Sequence, residues 1–399
     1  MNKLLIPLLA LIVTTSCSVK EKKNTQTSTA NYLSSPAQSP SGEPYLFTDD
    51  KGTTYLSWVE KSENKSIFKY AMLKGDQWSE PLVIASGNNW FVNWADYPMI
   101  ATNGQEFVAH YLEKSGESTY AYDVKLTSSK DYGKTWSESA ILHNDGKQAE
   151  HGFVSILSYK ENFFVAWLDG RNTAMEGMDH HEGHHGEMSV RAALLDKNGK
   201  KINEWELDKR VCDCCQTSAA ITDNGPIVVY RDRSDEEVRD MSIVRLIDGQ
   251  WTAPKSIHSD NWKIVGCPVN GPRVVAKGNI VAVAWFSMPK SESEVNVIFS
   301  KDGGATFSQP VRVDEGSAIG RVDVVMLDDV NAMVSWMEGA TIKAMKVNIN
   351  GTKETPIIIA SSSDSRSSGF PQMTKSKDRL IFAWTDDKDK IIKTASLPL

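Results

Sequence analysis

The feature of this 399-residue sequence that most restricts its fold is a short run of residues that recurs seven times. Each run is four or five residues long, rich in β-branched or aromatic residues, and ends in Trp or Tyr, which is typical of a strand. The runs end 48 to 63 residues apart, at Trp58, Tyr111, Trp167, Tyr230, Trp285, Trp336 and Trp384. A period of about 50 residues indicates a repeat architecture.

Each run is preceded by another short apolar run, and the first six are followed by two more strand-like segments. Four strands repeated with this period predict an all-β chain folded as a β-propeller, in which small sheets pack as blades around a channel. We predict seven four-stranded blades, with six blades and an appended repeat as the alternative. After Trp384 there is room for one strand only, so the outer strand of the last blade is expected from the N-terminal segment near Tyr32 and Leu33. That pairing would close the ring and cover an edge.

Two of the turns that follow predicted third strands share a residue pattern. SSKDYGKTW ends at Trp136 and SKDGGATF ends at Phe307, and both read S-x-D-x-G-x-T followed by an aromatic residue. Aspartate in such a turn accepts backbone N–H bonds, and glycine takes a positive φ. The pattern resembles the Asp-box of the sialidase-like (BNR-repeat) propellers. The resemblance extends by repeat over most of the chain and implies a sialidase-like propeller fold.

The same resemblance implies one candidate function, exo-glycoside hydrolysis of acidic sugars. Sialidases hold the substrate carboxylate with arginines, and a guanidinium binds a carboxylate in bidentate fashion. The candidate substrate-binding residues are Arg231, Arg273 and Arg321. The segment Ser41–Asp50, where the family carries its first arginine, has none. The alternative interpretation of the three arginines is salt bridges between blades.

The N-terminus has the layout of a secretory signal. Lys3 precedes an apolar run, Leu4–Val13, that is short for a membrane span, and small polar residues then lead to Cys17. This layout resembles a bacterial lipoprotein signal with Cys17 as the lipidated residue, although Thr14 stands where that family usually has leucine. The resemblance implies a signal peptide at 1–17. The polar composition that follows predicts a flexible tether at 18–37, and the repeats predict a single propeller domain at 38–399. The protein would then be exported and lipid-anchored to a bacterial membrane of the cell envelope, at the outer membrane or cell surface.

The chemically unusual residues are predicted to share one face of the propeller. In a four-stranded blade, the connection into the innermost strand and the turn after the second strand lie on the same side. Residues at the connections of blades two to five are Asp96, His151, Cys214, Cys215 and Cys267, with Cys212 beside them. The turn after the second strand of the third repeat adds His180, His181, His184 and His185. A short His-rich tract is a compositional signal for metal binding.

We therefore predict a Cys/His metal site at the mouth of the channel, for metal binding or redox chemistry. Thiolates favour Cu(I) and imidazole suits copper and zinc, so copper is the first choice and zinc the second. No nucleotide or organic cofactor is indicated. The alternatives are structural disulfides, such as Cys212 or Cys214 with Cys267, a vicinal disulfide between Cys214 and Cys215, and a histidine loop without a function.

The charge of the chain restricts its partners. A net charge of −7 argues against a nucleic-acid partner, which would need a basic face. A third hypothesis is a non-catalytic platform in which Trp90 and Trp94 hold a glycan or a partner protein. The alternative for these two aromatic residues is packing within the blades.

Overall fold

The chain is a seven-bladed β-propeller, seen in a computed structural model that describes residues 30–173 and 186–399. Seven antiparallel sheets are arranged in a ring, which confirms the predicted all-β class and blade number. The helices among the described residues are two single turns of 3-10 helix, Pro289–Ser291 and Arg366–Ser368. Neither of them is long and apolar enough to cross a membrane.

The strands are numbered in chain order, and β1 (Asn31–Leu33) precedes the first blade. Blade 1 contains β2 (Ser41–Thr48), β3 (Thr54–Ser62), β4 (Lys65–Lys74), β5 (Gln77–Trp78) and β6 (Leu82–Gly87). Blade 2 contains β7 (Ile100–Asn103), β8 (Glu106–Lys114), β9 (Tyr122–Ser129) and β10 (Ala140–Ile141). Blade 3 contains β11 (His151–Tyr159), β12 (Asn162–Asp169), β13 (Ser189–Leu195) and β14 (Lys201–Asp208). Blade 4 contains β15 (Ser218–Thr222), β16 (Gly225–Arg231), β17 (Met241–Ile247), β18 (Gln250–Trp251) and β19 (Lys255–His258).

The remaining blades follow the same plan. Blade 5 contains β20 (Arg273–Lys277), β21 (Ile280–Ser287), β22 (Glu294–Ser300) and β23 (Val311–Arg312). Blade 6 contains β24 (Ala318–Met326), β25 (Asn331–Glu338), β26 (Thr341–Asn348) and β27 (Ile357–Ser361). Blade 7 contains β28 (Gln372–Ser376), β29 (Arg379–Asp386) and β30 (Ile391–Pro398). In blades 1 and 4 two short strands share the outer edge, β5 with β6 and β18 with β19.

The ring is closed by the N-terminal strand. β1 pairs antiparallel with β30, with Tyr32 opposite Ala395, and completes the fourth position of blade 7. The ring of Tyr32 also meets Trp384 edge-on, at 5.7 Å between ring centres. This confirms the predicted closure. It also means that ordered propeller structure begins inside the segment 18–37 that was predicted as a tether.

The seven recurring aromatic residues all lie in second strands and pack between blades. Each of them is at most 6% exposed. A buried indole needs an acceptor for its N–H group, and in three blades a carboxylate two residues later supplies it. The donor–acceptor pairs are Trp58 with Glu60 at 2.8 Å, Trp167 with Asp169 at 2.8 Å and Trp336 with Glu338 at 2.6 Å. The repeat in the sequence is therefore a repeat of interblade packing.

The two Asp-box-like turns lie where the sequence predicts, after third strands. In the first, between β9 and β10, the Asp131 carboxylate accepts bonds from the backbone and hydroxyl of Thr135 at 2.9 and 2.7 Å. The hydroxyl of Ser129 accepts the N–H of Gly133, whose φ of 74° is one that glycine tolerates. The turn between β22 and β23 repeats the same set of bonds with Ser300, Asp302, Gly304 and Thr306.

The opposite side of the ring, which we call the upper face, carries the start of each first strand and the end of each second strand. In blade 3, for example, His151 at the start of β11 lies opposite Asp169 at the end of β12. First strands of blades 1, 3 and 6 begin with a β-bulge, and a residue in each bulge has a positive φ. These residues are Glu43, Phe153 and Arg321, with φ values of 54°, 52° and 55°. Bulges bend a strand and redirect its side chains.

Removal of β1 is expected to destabilise the propeller. A chain that begins at Ser35 loses the pairing with β30 and uncovers Trp384, so its Tm should fall by about 5 °C. Thermal unfolding followed by circular dichroism measures the shift, with a chain that begins at Ala30 as the control. Equal Tm values for the two chains would contradict a closing role for β1.

Candidate functional site

Two sets of predicted residues lie outside the described part of the chain. These are the histidines His180, His181, His184 and His185, and the predicted lipidation residue Cys17. The residues that flank the histidine segment are described and lie on the upper face. On one side the N–H of Gly170 donates to the backbone carbonyl of Glu150 at 2.8 Å. On the other side the N–H of Val211 donates to the backbone carbonyl of Met188 at 2.9 Å. Both flanks are therefore fixed beside the connections that carry His151 and Cys212.

The four described cysteines form two pairs. Cys214 and Cys267 are joined by a disulfide that links the connections into blades 4 and 5, with 5.9 Å between their Cα atoms. This is one of the disulfide alternatives raised by the sequence. Cys212 and Cys215 are free thiols, both buried, with 3.5 Å between their sulfurs. A disulfide sulfur is not a thiolate, so Cys214 and Cys267 do not meet the requirement of the predicted metal site in this state.

The Cys212 sulfur has the surroundings of a thiolate. The sulfur of Cys215 lies 3.5 Å from it, and Nη1 of Arg239 lies 3.1 Å away. The hydrogen bond between the two sulfurs, together with the charges of Arg231 and Arg239, lowers the pKa of Cys212 to about 6. Burial and the neighbouring Cys212 sulfur raise the pKa of Cys215 well above its usual value. The pair therefore holds one thiolate and one thiol.

His151 belongs to a separate cluster of imidazoles and carboxylates. Its ring stacks on that of His143 with 3.6 Å between centres and 4° between planes. Its Nε2 lies 2.9 Å from Asp145, and Arg171 is bound to Asp169 at 2.7 Å. Burial opposes a charged imidazole, but the hydrogen bond to Asp145 and the charges of both aspartates raise the pKa of His151. The cluster is an ion-pair network.

The geometry of this cluster does not suit a metal ion shared by the two imidazoles. A ring nitrogen binds a metal in the plane of its ring, at about 2 Å. An ion midway between parallel rings 3.6 Å apart would lie far out of both planes. The nitrogen atoms of His151 lie within 4.8 Å of possible metal ligands in two clusters, one with Asp123 and His143 and one with Asp145 and Asp169. The sulfurs of Cys212, Cys214 and Cys215 form a separate cluster. Among the described residues, therefore, His151 does not join Cys212, Cys214 and Cys215.

The hydrogen bonds of the Arg231 guanidinium go to backbone carbonyl groups. Only 1% of the residue is exposed. Its guanidinium donates to the carbonyl oxygens of Arg239 at 2.6 Å, Asn270 at 2.8 Å and Phe286 at 2.6 Å. It therefore bridges blades 4 and 5, and its donors are directed at protein atoms instead of a ligand carboxylate.

Arg273 and Arg321 are also used in contacts between blades. Arg273 donates to the side chain of Gln372 at 2.8 Å and lies over the ring of Tyr97, 5.4 Å from its centre. Arg321 donates to the hydroxyl of Ser368 at 2.6 Å and lies over the ring of Trp94 at 5.2 Å. All three predicted arginines thus make contacts between blades, but their principal acceptors are carbonyl, amide and hydroxyl oxygens instead of the carboxylates of the salt bridges suggested by the sequence.

Sequence reasoning missed a tyrosine–carboxylate pair on the upper face. The phenol of Tyr122, at the start of β9, donates to Glu150 at 2.8 Å. Burial raises the pKa of Glu150 to about 7, and the hydrogen bond from Tyr122 offsets only part of that effect. The two residues are 28 positions apart and belong to no motif. The only signal in the sequence was that Glu150 directly precedes His151 in the connection into blade 3.

Asp96, which the sequence did single out, lies beside this pair. Its Oδ1 accepts the N–H of Phe153 at 2.8 Å, and its buried Oδ2 has no hydrogen-bond partner. Burial raises the pKa of Asp96 well above its usual value, which favours the neutral form of the carboxyl group. A neutral acid and a carboxylate that titrates near pH 7 therefore adjoin one tyrosine.

Aromatic residues of the connection into blade 2 cover this pair. The ring of Phe91 stacks on that of Tyr122 at 4.0 Å and 10°. Nζ of Lys114 lies over the Phe91 ring, 5.5 Å from its centre. Tyr120 meets the edge of Phe91 and is 58% exposed. An aromatic surface with an adjacent cation therefore borders the tyrosine–carboxylate pair.

Trp90 and Trp94 both pack against other aromatic rings. Trp90 stacks on Tyr111 at 4.3 Å, and Trp94 stacks on Phe370 at 5.6 Å. Both indoles are half-buried. The structure thus places the predicted platform residues partly within the blade packing.

Gln216 joins the cysteine segment to the segment that carries Asp96. Its side chain donates to the carbonyl of Ala95 at 2.7 Å and accepts the N–H of Gly271 at 2.8 Å. These bonds link the connections into blades 2, 4 and 5 near the channel axis. The cysteine pairs and the tyrosine–carboxylate pair therefore occupy one mouth.

Comparison with known proteins supports the fold. No family model matches the sequence, and no curated protein matches it. Among solved structures, the polysaccharide lyase Uly1 aligns with a TM-score of 0.55 and 9% identity, over 96% of this chain and 94% of that one. An alpha-L-arabinanase of Penicillium chrysogenum, complexed with arabinobiose, aligns with a TM-score of 0.50 and 11% identity, over 93% and 98%. The sialidase Hz136 aligns with a TM-score of 0.43 and 13% identity over 74% of this chain, which spans 63% of its length.

Substitution of Gly152 by alanine is expected to disturb the site. A Cβ atom there would lie 2.1 Å from Oδ2 of Asp96 and 3.0 Å from the Tyr122 ring, so the variant should lose about 1–3 kcal/mol of stability. Gly42→Ala is the matched control, because Gly42 has the same place in the bulge of blade 1 and its Cβ would meet only Thr385, at 3.8 Å. Urea unfolding measures both, and equal losses would contradict the close packing at Gly152.

Proposed function

We propose that the protein cleaves glycans, as an exo-glycoside hydrolase acting on acidic sugars at the upper face. The observation that carries the proposal is the hydrogen bond from Tyr122 to Glu150 beside the neutral carboxyl group of Asp96. Glycoside hydrolysis needs a group that donates a proton to the leaving oxygen and one that assists attack at the anomeric carbon. The mouth of this channel holds groups suited to both tasks.

Glu150, Tyr122 and Asp96 have separate roles in the proposed reaction. Ionised Glu150 accepts the proton of the Tyr122 hydroxyl as the phenol oxygen attacks the anomeric carbon. Neutral Asp96 donates a proton to the departing glycosidic oxygen. Water then hydrolyses the bond between sugar and tyrosine, with both protons returned. Because Phe91 stacks over Tyr122, a sugar ring reaches the phenol only when Phe91 moves aside.

The surroundings of the pair support a glycan ligand. Aromatic faces such as those of Phe91 and Tyr120 are suited to packing against the apolar face of a sugar ring. Lys114 adds a positive charge for an acidic substituent. The lyase and the arabinanase that share the fold carry the names of polysaccharide-processing enzymes. The lipid anchor at Cys17 and export to the cell envelope, which stay predictions, would place such an enzyme outside the cytoplasm.

A soft-metal site is the second candidate function, favoured by the three sulfurs of Cys212, Cys214 and Cys215 within 4.8 Å of one another. Thiolate ligands suit Cu(I) and zinc, and copper stays our first choice. Metal binding by all three would require reduction of the Cys214–Cys267 disulfide. The copper site therefore stays a prediction for the reduced chain.

Glu150→Gln is expected to abolish turnover while the fold is kept. The amide still accepts the Tyr122 hydrogen bond but does not take up its proton, so kcat should fall about 10²–10⁴-fold. Release of reducing sugar from a panel of sialosides and uronic-acid glycans measures it. Glu43→Gln is the matched control, because burial also raises the pKa of Glu43 to about 7, in a separate cleft between blades 1 and 7. Loss of activity in the Glu43 variant alone would assign the chemistry to that cleft and overturn the proposal.

The pH profile gives an independent check on the role of Glu150. The carboxylate is the active form, and its pKa is raised to about 7, so kcat/KM should be low below that value and rise through it. Initial rates between pH 5 and about pH 9 measure the profile. A rate that falls as the pH rises through 7 would show that Glu150 acts as an acid instead.

A further inference from the structure

The two cysteine pairs lie at different depths in the same mouth. Cys267 is exposed and Cys214 is half-buried, so the disulfide that joins them is open to solvent. Cys212 and Cys215 lie beneath it and are 1% and 2% exposed. A reagent in solution therefore meets the surface disulfide first, and the buried thiols are reached through it.

The sulfurs are close enough to exchange partners. Those of Cys212, Cys214 and Cys215 lie within 4.8 Å of one another, and Cys212 and Cys215 are 3.5 Å apart. Nη1 of Arg239 contacts the Cys212 sulfur at 3.1 Å, and the Nη2 of the same guanidinium is bound by Glu237 at 2.6 Å. A positive charge fixed against one sulfur favours its nucleophilic, thiolate form. Cys212 is thus the attacking sulfur and Cys214 its nearest disulfide target.

We propose that the four cysteines are a thiol–disulfide relay between the surface and the interior of the channel mouth. The Cys212 thiolate attacks Sγ of Cys214, which forms a Cys212–Cys214 bond and releases Cys267 as a thiolate. Cys215 then attacks Sγ of Cys212 while its proton passes to the departing Cys214 sulfur, within 4.8 Å of it, so that Cys214 leaves as a thiol. Two electrons pass from the buried pair to the surface pair, and no sulfur atom is transferred.

The surface pair connects the relay to an external partner. Reduced Cys214 and Cys267 react with a low-molecular-weight disulfide, which reforms the Cys214–Cys267 bond and releases two thiols. Cys267 makes the contact, since it is exposed beside Val265, which is 87% exposed. The net reaction is reduction of one external disulfide by the buried dithiol.

Two matched variants separate this relay from a static disulfide beside two thiols. Both are made in the full chain with Cys17→Ser, so that three cysteines remain in each. Cys215→Ser keeps the attacking sulfur and removes the resolving one, whereas Cys212→Ser removes the attacking sulfur. Each folded variant is incubated with iodoacetamide, quenched in acid and mapped by peptide mass spectrometry. Its Tm is recorded to show that it is folded.

The relay predicts different products from the two variants. In Cys215→Ser, released Cys267 is alkylated and a Cys212–Cys214 disulfide accumulates, with Cys267 alkylated about tenfold faster than in Cys212→Ser. In Cys212→Ser, the Cys214–Cys267 disulfide persists. Equal alkylation of Cys267 in both variants, or alkylation of Cys212 itself, would overturn the relay. So would a wild-type chain that lacks the disulfide and carries about one copper or zinc ion, because its thiolates would be metal ligands.

Discussion

The pairing of β1 with β30 is the interaction on which the rest of the structure depends. A four-stranded blade is stable only when both of its faces are covered, and in this chain the neighbouring blades cover them. Without β1, blade 7 has three strands and an open outer edge at β30. Because the first and last strands meet in one sheet, unfolding of either end opens the ring. The buried tryptophans of the second strands stabilise the closed ring, because opening it would expose them to water.

Ring closure also explains why chemistry gathers on the upper face. Antiparallel order places every first-strand start and second-strand end on that side, so residues distant in sequence converge at one mouth. The disulfide joins positions 53 residues apart, and Gln216 reaches Ala95 across 121 residues. The bulges at Glu43, Phe153 and Arg321 direct side chains into this region at the cost of unusual backbone angles. The opposite, lower face carries the two Asp-box-like turns, in which serine and aspartate side chains bind the backbone of the turn.

The sequence predicted structure where one residue type repeats, but it did not predict contacts that depend on the exact path of the backbone. The aromatic residues predicted seven second strands because interblade packing selects a large ring at one position in every repeat. The sulfur pairing was left open, because three cysteines in four positions all lie near Cys267 and only the backbone path selects Cys214. Arg231 was misleading for a related reason, since its acceptors are carbonyl oxygens, which a sequence does not display. Tyr122 and Glu150 come from adjacent blades and meet only through the ring.

The two chemistries proposed for the mouth are connected by electrostatics. The negative charge of Cys212 is one of the interactions that raise the pKa of Glu150, after burial and the charge of Asp213. If the buried pair becomes a disulfide, that charge is lost while Arg239 and its positive charge remain in place. The negative charge of ionised Glu150 would then be repelled less strongly, and the pKa of Glu150 would fall toward its ordinary value. Because the ionised form accepts the proton of Tyr122, oxidation of Cys212 and Cys215 would extend the active range of the glycan site to lower pH.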